Sequence, residues 1–565
     1  MEKIKLFTSF LVCIFSSVFF SLQAQSPSWA WAAAAGSSNN NQFAGAVCTD
    51  PYGNVYSTGC FEGASITFGS NILNQTGGRN IYLVKYAPNG NVLWASSPSG
   101  INYSNGYGLC TDSKGNVYLT GDFNSTSLTF GSITLNNPGG GYCVFVTKYD
   151  PSGNVIWAKS ASAGATYDAE GLGISVDTND NVFVTGYFEA PWVAFGVDTL
   201  KMFLGESEAI FLTKYDSIGN VQWAKTPSGT QNNIAAGVCS DQWGNVYITG
   251  EFSSPYLVFG NDSVVTSGAS DMFIAKYDSR GNALWAKSAG GIYSDEGAAV
   301  SVDRNGNPYV TGNFSSSKII FGSDTLINYG TENIFTVKYD SMGNVMWAKS
   351  LAYTANIWVT GISASNTGNT CITGTFGPNG LNFGSTILNS NGYVDIFVAD
   401  YDASGSPLWA ASAGGTDGDY SVGVSQDPFG NVFVNGYFIS SSMLFGSNAI
   451  SDPNAPNDYD VYMAKLGTTV TAMAALRKSN LTEVFPNPFT NSTTISIIDN
   501  SPSTIHHLEL SDITGRTLKQ IEFTGDEYTF SAEGLAKGMY FIRVFSRSLA
   551  GDYNECIGTS KIVVQ

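Results

Sequence analysis

Residues 237–252, GVCSDQWGNVYITGEF, and residues 272–291, MFIAKYDSRGNALWAKSAGG, decide the fold of this chain. A Phe259-Gly260 pair stands between them. Val, Ile, Tyr, Phe and Trp alternate with polar residues in short runs, the period of a half-buried strand. Residues 238–240, 246–252, 272–277 and 283–288 read as four strands. Asp241 to Asn245 joins the first pair and Asp278 to Asn282 the second, both as D-x-x-G-N. The Asp bonds its own backbone and the Gly takes a positive φ, so both links read as tight hairpins.

Variants of this unit recur along most of the chain. Its tryptophan falls at Trp31, Trp94, Trp157, Trp223, Trp285, Trp347 and Trp409, in steps of 63, 63, 66, 62, 62 and 62 residues. A Phe-Gly pair keeps the same beat from Phe68 to Phe445, and a Thr-Gly pair from Thr58 to Thr373, with Asn435 in the seventh place. A fixed period marks a repeat architecture. Four antiparallel strands, seven times over, predict an all-β fold, a seven-bladed β-propeller. Trp31 has no Lys-Tyr-Asp strand before it, and the last third strand, 461–466, has no tryptophan strand after it. Residues 29–34 are therefore expected to complete the seventh blade and cover its open edge. The seven repeated tryptophans are expected to anchor blade against blade.

The D-x-x-G-N-V-Y-x-T-G-x-F and K-Y-D-x-x-G-N-x-x-W-A segments resemble the SBBP (seven-bladed β-propeller) repeat family of bacterial surface and secreted proteins, over about residues 27–468. The sixth unit departs most. Ser365 replaces its turn Asp, and Asp400 replaces the Lys of K-Y-D.

Residues 1–24 read as a secretory signal, with Lys3 and Lys5 before an apolar core from Leu6 to Phe20 and a mature start at Gln25. Residues 25–466 form the propeller, 467–480 a linker and 481–565 a second domain with period-two runs of its own, expected to be a small β-sandwich. That tail resembles the type A sorting domain of the type IX secretion system. Phe485-Pro486-Asn487-Pro488, Asp512 to Arg516, Leu535 to Tyr540 and Lys561 to Val564 carry the resemblance, with Pro486, Asn487, Pro488, Gly515, Gly538, Tyr540 and Lys561 as its marker residues. The resemblance implies the type IX machinery as a partner, export through the outer membrane, and a protein that is released or attached to the cell surface. No membrane span is expected in the mature chain.

A net charge of −19 argues against nucleic acid, whose phosphates need clustered Lys and Arg. Only 13% of residues are charged and 63 are Gly, which suits short strands and tight turns. The seven cysteines outside the signal, an odd count without close spacing, are not a disulfide framework and read as small buried apolar residues. The two histidines, His506 and His507, lie in the tail. A Ser-His-Asp site and His-ligated zinc are therefore excluded from the repeats. No G-x-S-x-G, H-E-x-x-H or P-loop occurs. No catalytic residue, cofactor or metal is assigned. Asp50, Asp112, Asp177, Asp241, Asp303 and Asp427 read as turn caps rather than calcium ligands. Asp-Ser/Thr pairs at Thr199, Ser217, Ser263, Thr325 and Ser341 resemble bacterial O-glycosylation sites.

The links opposite the D-x-x-G-N turns are longer and more varied, and binding is expected there. Those from each outer to the next inner strand carry acids (Asp168, Glu170, Asp295, Glu296, Asp417, Asp419) and aromatics (Phe43, Tyr103, Tyr107, Tyr167, Tyr293, Trp358, Tyr420). The candidate ligand set is Tyr103, Tyr167, Asp168, Tyr293, Asp295, Trp358, Asp417 and Tyr420. A non-enzymatic module for a glycan or an extracellular protein is the leading expectation. A carbohydrate-active enzyme with two loop carboxylates and a structural spacer of an extracellular matrix stay open beside it.

Overall fold

The computed structural model describes residues 27–36, 40–163, 167–351, 357–452, 455–467, 482–485, 487–497, 505–512, 517–524, 527–547 and 553–564. The signal segment, most of the linker, Pro486 and Gly515 lie outside the described residues. Every regular element described is a strand. The chain divides into two compact units, Met1–Thr468 and Thr469–Gln565.

The first unit contains seven four-stranded antiparallel sheets. The fourth is built from Asn233–Ser240, Val246–Phe252, Asp271–Tyr277 and Ala283–Ala289. Its first strand begins five residues before the apolar run that betrays it in the sequence (238 − 233). The seventh sheet takes Asp419–Gln426, Val432–Phe438 and Asp460–Gly467 from one end of the unit and Ser28–Ala35 from the other. Ser28 pairs with Gly467 and Ala35 with Val461, so the edge of the third strand is covered.

Each unit also holds a small hairpin that the four-strand reading misses. In the fourth it is Tyr256–Phe259 with Asp262–Val265. The Phe-Gly pair belongs to its turn, where Gly260 has a φ of 60°. Leu257, Phe259 and Val264 are buried beneath it. The hairpin is tied to the outer strand by Asp262, whose Oδ2 accepts from Ala286 N at 2.8 Å. Asp198 and Asp324 do the same at 3.0 and 2.9 Å. Three of the Asp-Ser/Thr pairs therefore have a structural account for their Asp.

The core lies between sheets. Val300, Val310, Phe314, Phe321 and Phe335 of the fifth sheet's repeat join Tyr247, Met272, Ile274 and Trp285 of the fourth in one cluster. The first strand of each sheet packs against the first strand of the next, and that of the seventh against Gln42–Thr49 of the first, so the succession returns to its start. Thr49 Oγ1 donates to Gln426 O at 3.0 Å across this last junction, and Asn435 Nδ2 to Ala46 O at 3.0 Å. In the other six sheets the residue equivalent to Asn435 is a Thr whose hydroxyl stays at home, as Thr249 Oγ1 does on Phe273 O.

A second tie runs along the outside. Trp285 Nε1 and Lys276 Nζ both donate to Ser341 O, in the outer turn of the next sheet, at 3.2 and 3.0 Å. Trp94 and Lys85 meet Pro151 O, Trp223 and Lys214 meet Ser279 O, Trp347 and Lys338 meet Ala403 O, and Trp31 and Lys465 meet Pro88 O in the same way. Trp157 reaches Ser217 O alone. Gly343, in the turn that receives Trp285, has a φ of 85°, and a Cβ there would stand 3.0 Å from the indole. The sixth sheet faces the place where the chain passes out of and into the unit, and no outer turn exists there. Asp400 replaces the Lys, and Trp409 donates its indole N–H to that carboxyl instead. Cys371, paired with Asp400, stands where Tyr247 lies under Lys276 with its ring centroid 5.0 Å from Nζ. The oddities of the sixth unit are one coordinated change.

The six repeat acids cap their turns. Asp241 Oδ1 accepts from Trp243 N and Asn245 N, and Oδ2 from Asn245 Nδ2, at 2.7–3.0 Å. Asp180 takes the glycine position of the Asp177 turn at a φ of 61° and pairs with Lys114. Cys48, Cys60, Cys110, Cys143, Cys239 and Cys371 are free thiols.

In the second unit, Thr482–Phe485, Ser492–Ile497 and Glu527–Ser531 form one sheet, and Ile505–Ser511, Thr517–Thr524, Gly538–Arg547 and Tyr553–Val564 another. Phe489, Ile495 and Phe530 share a buried cluster with Leu508, Leu510, Ile542 and Ile562. Asn487 Oδ1 accepts from Val563 N at 2.9 Å, and Tyr540 OH donates to Ala536 O at 2.8 Å. Pro488 and Gly538 flank these contacts in the chain, and Lys561 lies in the last strand.

Removing residues 28–35 leaves the third strand of the seventh sheet with an unpaired edge. The shortened chain is expected to melt lower and to aggregate, as read by light scattering during heating; parent-like behaviour would refute the role given to that strand. Trp285→Ala is expected to cost about 3–5 kcal/mol in urea unfolding.

Candidate functional site

Antiparallel order puts the D-x-x-G-N turns at one end of every sheet and the remaining links at the other. At the second end the innermost strand of each sheet pairs with its neighbour through a β-bulge, at Ala235/Gly237 in the fourth. Bulges re-aim side chains. Just beyond the bulge, one residue of the innermost strand faces the x of T-G-x-F. The seven pairs are Phe43/Cys60, Asn105/Asp122, Glu170/Tyr187, Ile234/Glu251, Glu296/Asn313, Trp358/Thr375 and Tyr420/Tyr437. The scaffold around them repeats; these positions do not.

Aromatics gather where the seventh sheet meets the first. Tyr420 stacks on Tyr437 with centroids 5.1 Å apart, and Tyr437 meets Phe43 and Tyr459 edge-on at 5.4 and 5.3 Å. Arg79 lies over Phe43 on one side and Tyr103 on the other, 5.6 and 5.7 Å from the centroids. Its guanidinium is held by Glu62 at 2.6 Å. Trp358, 44% exposed, donates its indole N–H to Glu332.

Carboxyls gather on the second to fifth sheets. Asp122 is buried and accepts from Asn105 Nδ2 at 2.8 Å. Burial first, then the charge of Glu170, pushes its carboxyl well above the usual carboxylate range. Glu170 is raised by burial against the pull of a Tyr187 hydroxyl bond, with Asp168, Glu189 and Glu208 adding to the rise. Burial also raises Glu189, Glu208, Glu251 and Glu332. Among the described residues none of these six is in an ion pair. These carboxyls accept hydrogen bonds, and the aromatic rings of the link end offer apolar faces.

The structure sorts the eight residues chosen from sequence. Trp358 and Tyr420 lie on inner strands among the seven pairs. Tyr103, Tyr167, Tyr293 and Asp417 lie in the links just before those strands, with Tyr293 56% exposed. Asp168 accepts from Tyr142 N at 2.8 Å and ties its link to the one before the third strand of the second sheet. Asp295 is a correction. It opens its strand, is fully buried, and its carboxylate accepts from Gly291 N, Ser316 N and Ser316 Oγ. Nothing of it is left for a ligand. Asp419 is buried in the same place in the seventh sheet. Sequence reasoning missed Arg79, Asp122, Glu251, Tyr437 and Tyr459. The variable x inside the constant T-G-x-F was the available signal for three of them.

A family model described as a secretion system C-terminal sorting domain matches residues 483–552. The chain thus carries a C-terminal sorting domain of the type IX system, which ties it to that machinery and marks it for the extracellular space or the cell surface. No helix among the described residues is long and apolar enough to cross a membrane. An uncharacterized WD repeat-containing protein of Acanthamoeba polyphaga mimivirus is 24% identical over 481 residues, 69% of this chain and 34% of that protein. The regulatory protein FlaEY of Caulobacter vibrioides is 26% identical over 232 residues, 40% of this chain and 24% of that protein. The chain spans about a third and about a quarter of the length of these curated relatives. Among solved structures, a fungal alcohol oxidase with copper aligns over 96% of this chain and 100% of its own, at 13% identity and a TM-score of 0.41.

Buried carboxyls at the link end make stability depend on pH. Burial lifts Asp271 and Asp395 to about 6 and Asp419 to about 7, from 3.8. Each binds its proton in the folded chain before the unfolded one. Their contribution to stability is full below about pH 4 and is lost as pH rises through 6 to 7. In metal-free buffer the melting temperature should rise as pH falls from about 8 to 5. Below about pH 4 it should drop, as turn carboxylates held low by their amide bonds, Asp278 and Asp340 among them, take up protons. A calorimetric scan that declines steadily from pH 8 downward would contradict this.

Proposed function

We propose that the first unit is a seven-bladed β-propeller of the SBBP type, closed by its N-terminal strand, and that it binds a glycan without altering it. The site is the link end, where Tyr420, Tyr437, Phe43 and Trp358 offer faces for sugar rings and the raised carboxyls of Glu170 and Glu251 bond hydroxyls. A β-sandwich sorting domain follows it and delivers it outside the cell. The observation that carries this reading is the seven-fold pair of variable positions, aromatic on one side and carboxyl on the other, on an otherwise repeating scaffold. Loss of one stacking ring is worth about 1 kcal/mol, several-fold in affinity.

The mature chain is to be tested on a broad glycan array, with Trp358→Ala and Tyr420→Ala beside it. Retention of a glycan class by the parent, weakened about fivefold to tenfold in each variant, is the expected result. Retention of nothing, or equal binding by all three chains, ends the glycan reading. Release of reducing sugar from the bound glycan moves the site to carboxyl-based hydrolysis.

A further inference from the structure

The seventh sheet is made from both ends of the first unit, so its third and outer strands are not joined by a turn. The register of the repeats says which residue belongs where that turn would be. In the other six sheets the carbonyl that receives the preceding sheet's indole lies six residues before the sheet's own tryptophan, as Ser279 does before Trp285 (285 − 279) and Ala403 before Trp409 (409 − 403). The other four are Pro88, Pro151, Ser217 and Ser341. Six before Trp31 comes Gln25 (31 − 6), the predicted start of the mature chain. Ser28 pairs with Gly467 as Asn282 closes on Asp278 in the fourth sheet, so the count holds into the described residues. Gln25 thus counts to the place of Ser279, the residue after the turn Asp. Its nitrogen is not bonded to Gly467, and removal of the signal makes it an α-amino group.

The sheet that faces this place has changed charge. Lys85, Lys148, Lys214, Lys276, Lys338 and Lys465 hold the third-strand position that Asp400 holds in the sixth sheet. Each of those ammonium groups lies over a Tyr or Phe ring of the second strand, 4.7–5.3 Å from its centroid. Asp400 has Cys371 there instead. Both replacements are smaller, so a partner of Asp400 must come further in than a turn carbonyl does. A chain end can do that and a closed turn cannot. Pro27 stands at the place of Gly281, whose φ of 80° a proline cannot take, so the chain does not enter this sheet along the path of a closed turn. Asp400 is 5% exposed, and its Oδ1 is buried with no hydrogen-bond partner. Among the described residues it is in no ion pair. The neighbouring Asp402 is engaged in its own turn, accepting from Ser404 N and Ser406 N at 2.9 Å.

A buried carboxylate is costly unless a cation or a proton meets it. We infer that the α-ammonium group freed at Gln25 by signal removal pairs with Asp400 and fastens the chain start to the sixth sheet. The other sheets offer an ammonium to a turn carbonyl. The sixth offers a carboxylate, at the one junction where the receiving residue begins with a free nitrogen. In the precursor that nitrogen is an uncharged amide, so processing during export and the final fastening of the first unit become one event. Nothing in this pairing depends on what the link end binds. Burial lifts the Asp400 carboxyl to about 7 against the pull of the Trp409 bond, and Asp402 adds to the rise. The Cys371 thiol beside it is also raised by burial, so a proton is the competitor. An ammonium at Asp400 lowers the carboxyl again and raises the amine above its ordinary value of about 8.

The full mature chain is produced by secretion with its own signal, and intact mass with N-terminal sequencing fixes its first residue. Beside it stand Asp400→Asn, a chain with a Gly-Ser extension ahead of Gln25, and the two changes combined. The α-amine is labelled with an amine-reactive reagent at about pH 7 and followed by peptide mass spectrometry. The parent is expected to label about tenfold more slowly than Asp400→Asn, because a paired ammonium keeps its proton. The extension should lower the melting temperature of the parent by a few degrees and have no further effect on Asp400→Asn. A start other than Gln25, a Gln25 cyclised to pyroglutamate, or an amine that labels equally fast in parent and Asp400→Asn overturns the inference. So does an extended chain that melts with the parent. If Asp400→Asn does not fold, the extended chain, which keeps Asp400, decides by its melting temperature.

Discussion

Five carbonyls hold the outside of this unit together. Each lies in an outer turn, and each receives an indole N–H and an ammonium from the sheet before it. A turn glycine leaves room for the indole, so the turn must be tight; an Asp opens four of the five turns, and Ala87 stands in its place in the first sheet. One local motif therefore specifies the hairpin, the spacing between sheets and the angle at which the next sheet is met. The hydrophobic clusters between sheets follow from that spacing, because apolar side chains from two consecutive repeats meet in each.

The repeat, its turns and the strand supplied by the N-terminal segment were legible because they depend on local chemistry: alternation, Asp-to-backbone bonds, positive φ at Gly. The small hairpin was hidden because its strands have four residues each and only three buried apolar side chains, too few for a clear period. The burial of Asp295 was hidden for a different reason. Two of its three donors, Ser316 N and Oγ, are 21 residues away, so its fate is decided by tertiary structure. The sixth unit shows the converse case. Ser365, Cys371 and Asp400 look like decay in the sequence, yet Asp400 answers a missing turn and takes the Trp409 indole.

The link end separates what is constant from what varies. Thr249 and its counterparts fix the second strand to the third, and the side chain two residues on is free to be Cys, Asp, Tyr, Glu, Asn or Thr. Stability and recognition are thus assigned to neighbouring positions of one strand. The sorting domain adds a third task on a separate unit with its own buried cluster, so the repeats need carry no information about export.

The path by which the chain leaves the first unit has a mechanical consequence. It departs at Gly467, the end of a strand that is flanked by Val432–Phe438 on one side and Ser28–Ala35 on the other. Tension applied beyond that residue loads two ladders lengthwise, in shear, instead of peeling a border strand bond by bond. The N-terminal strand, which seals the assembly, also shares the load.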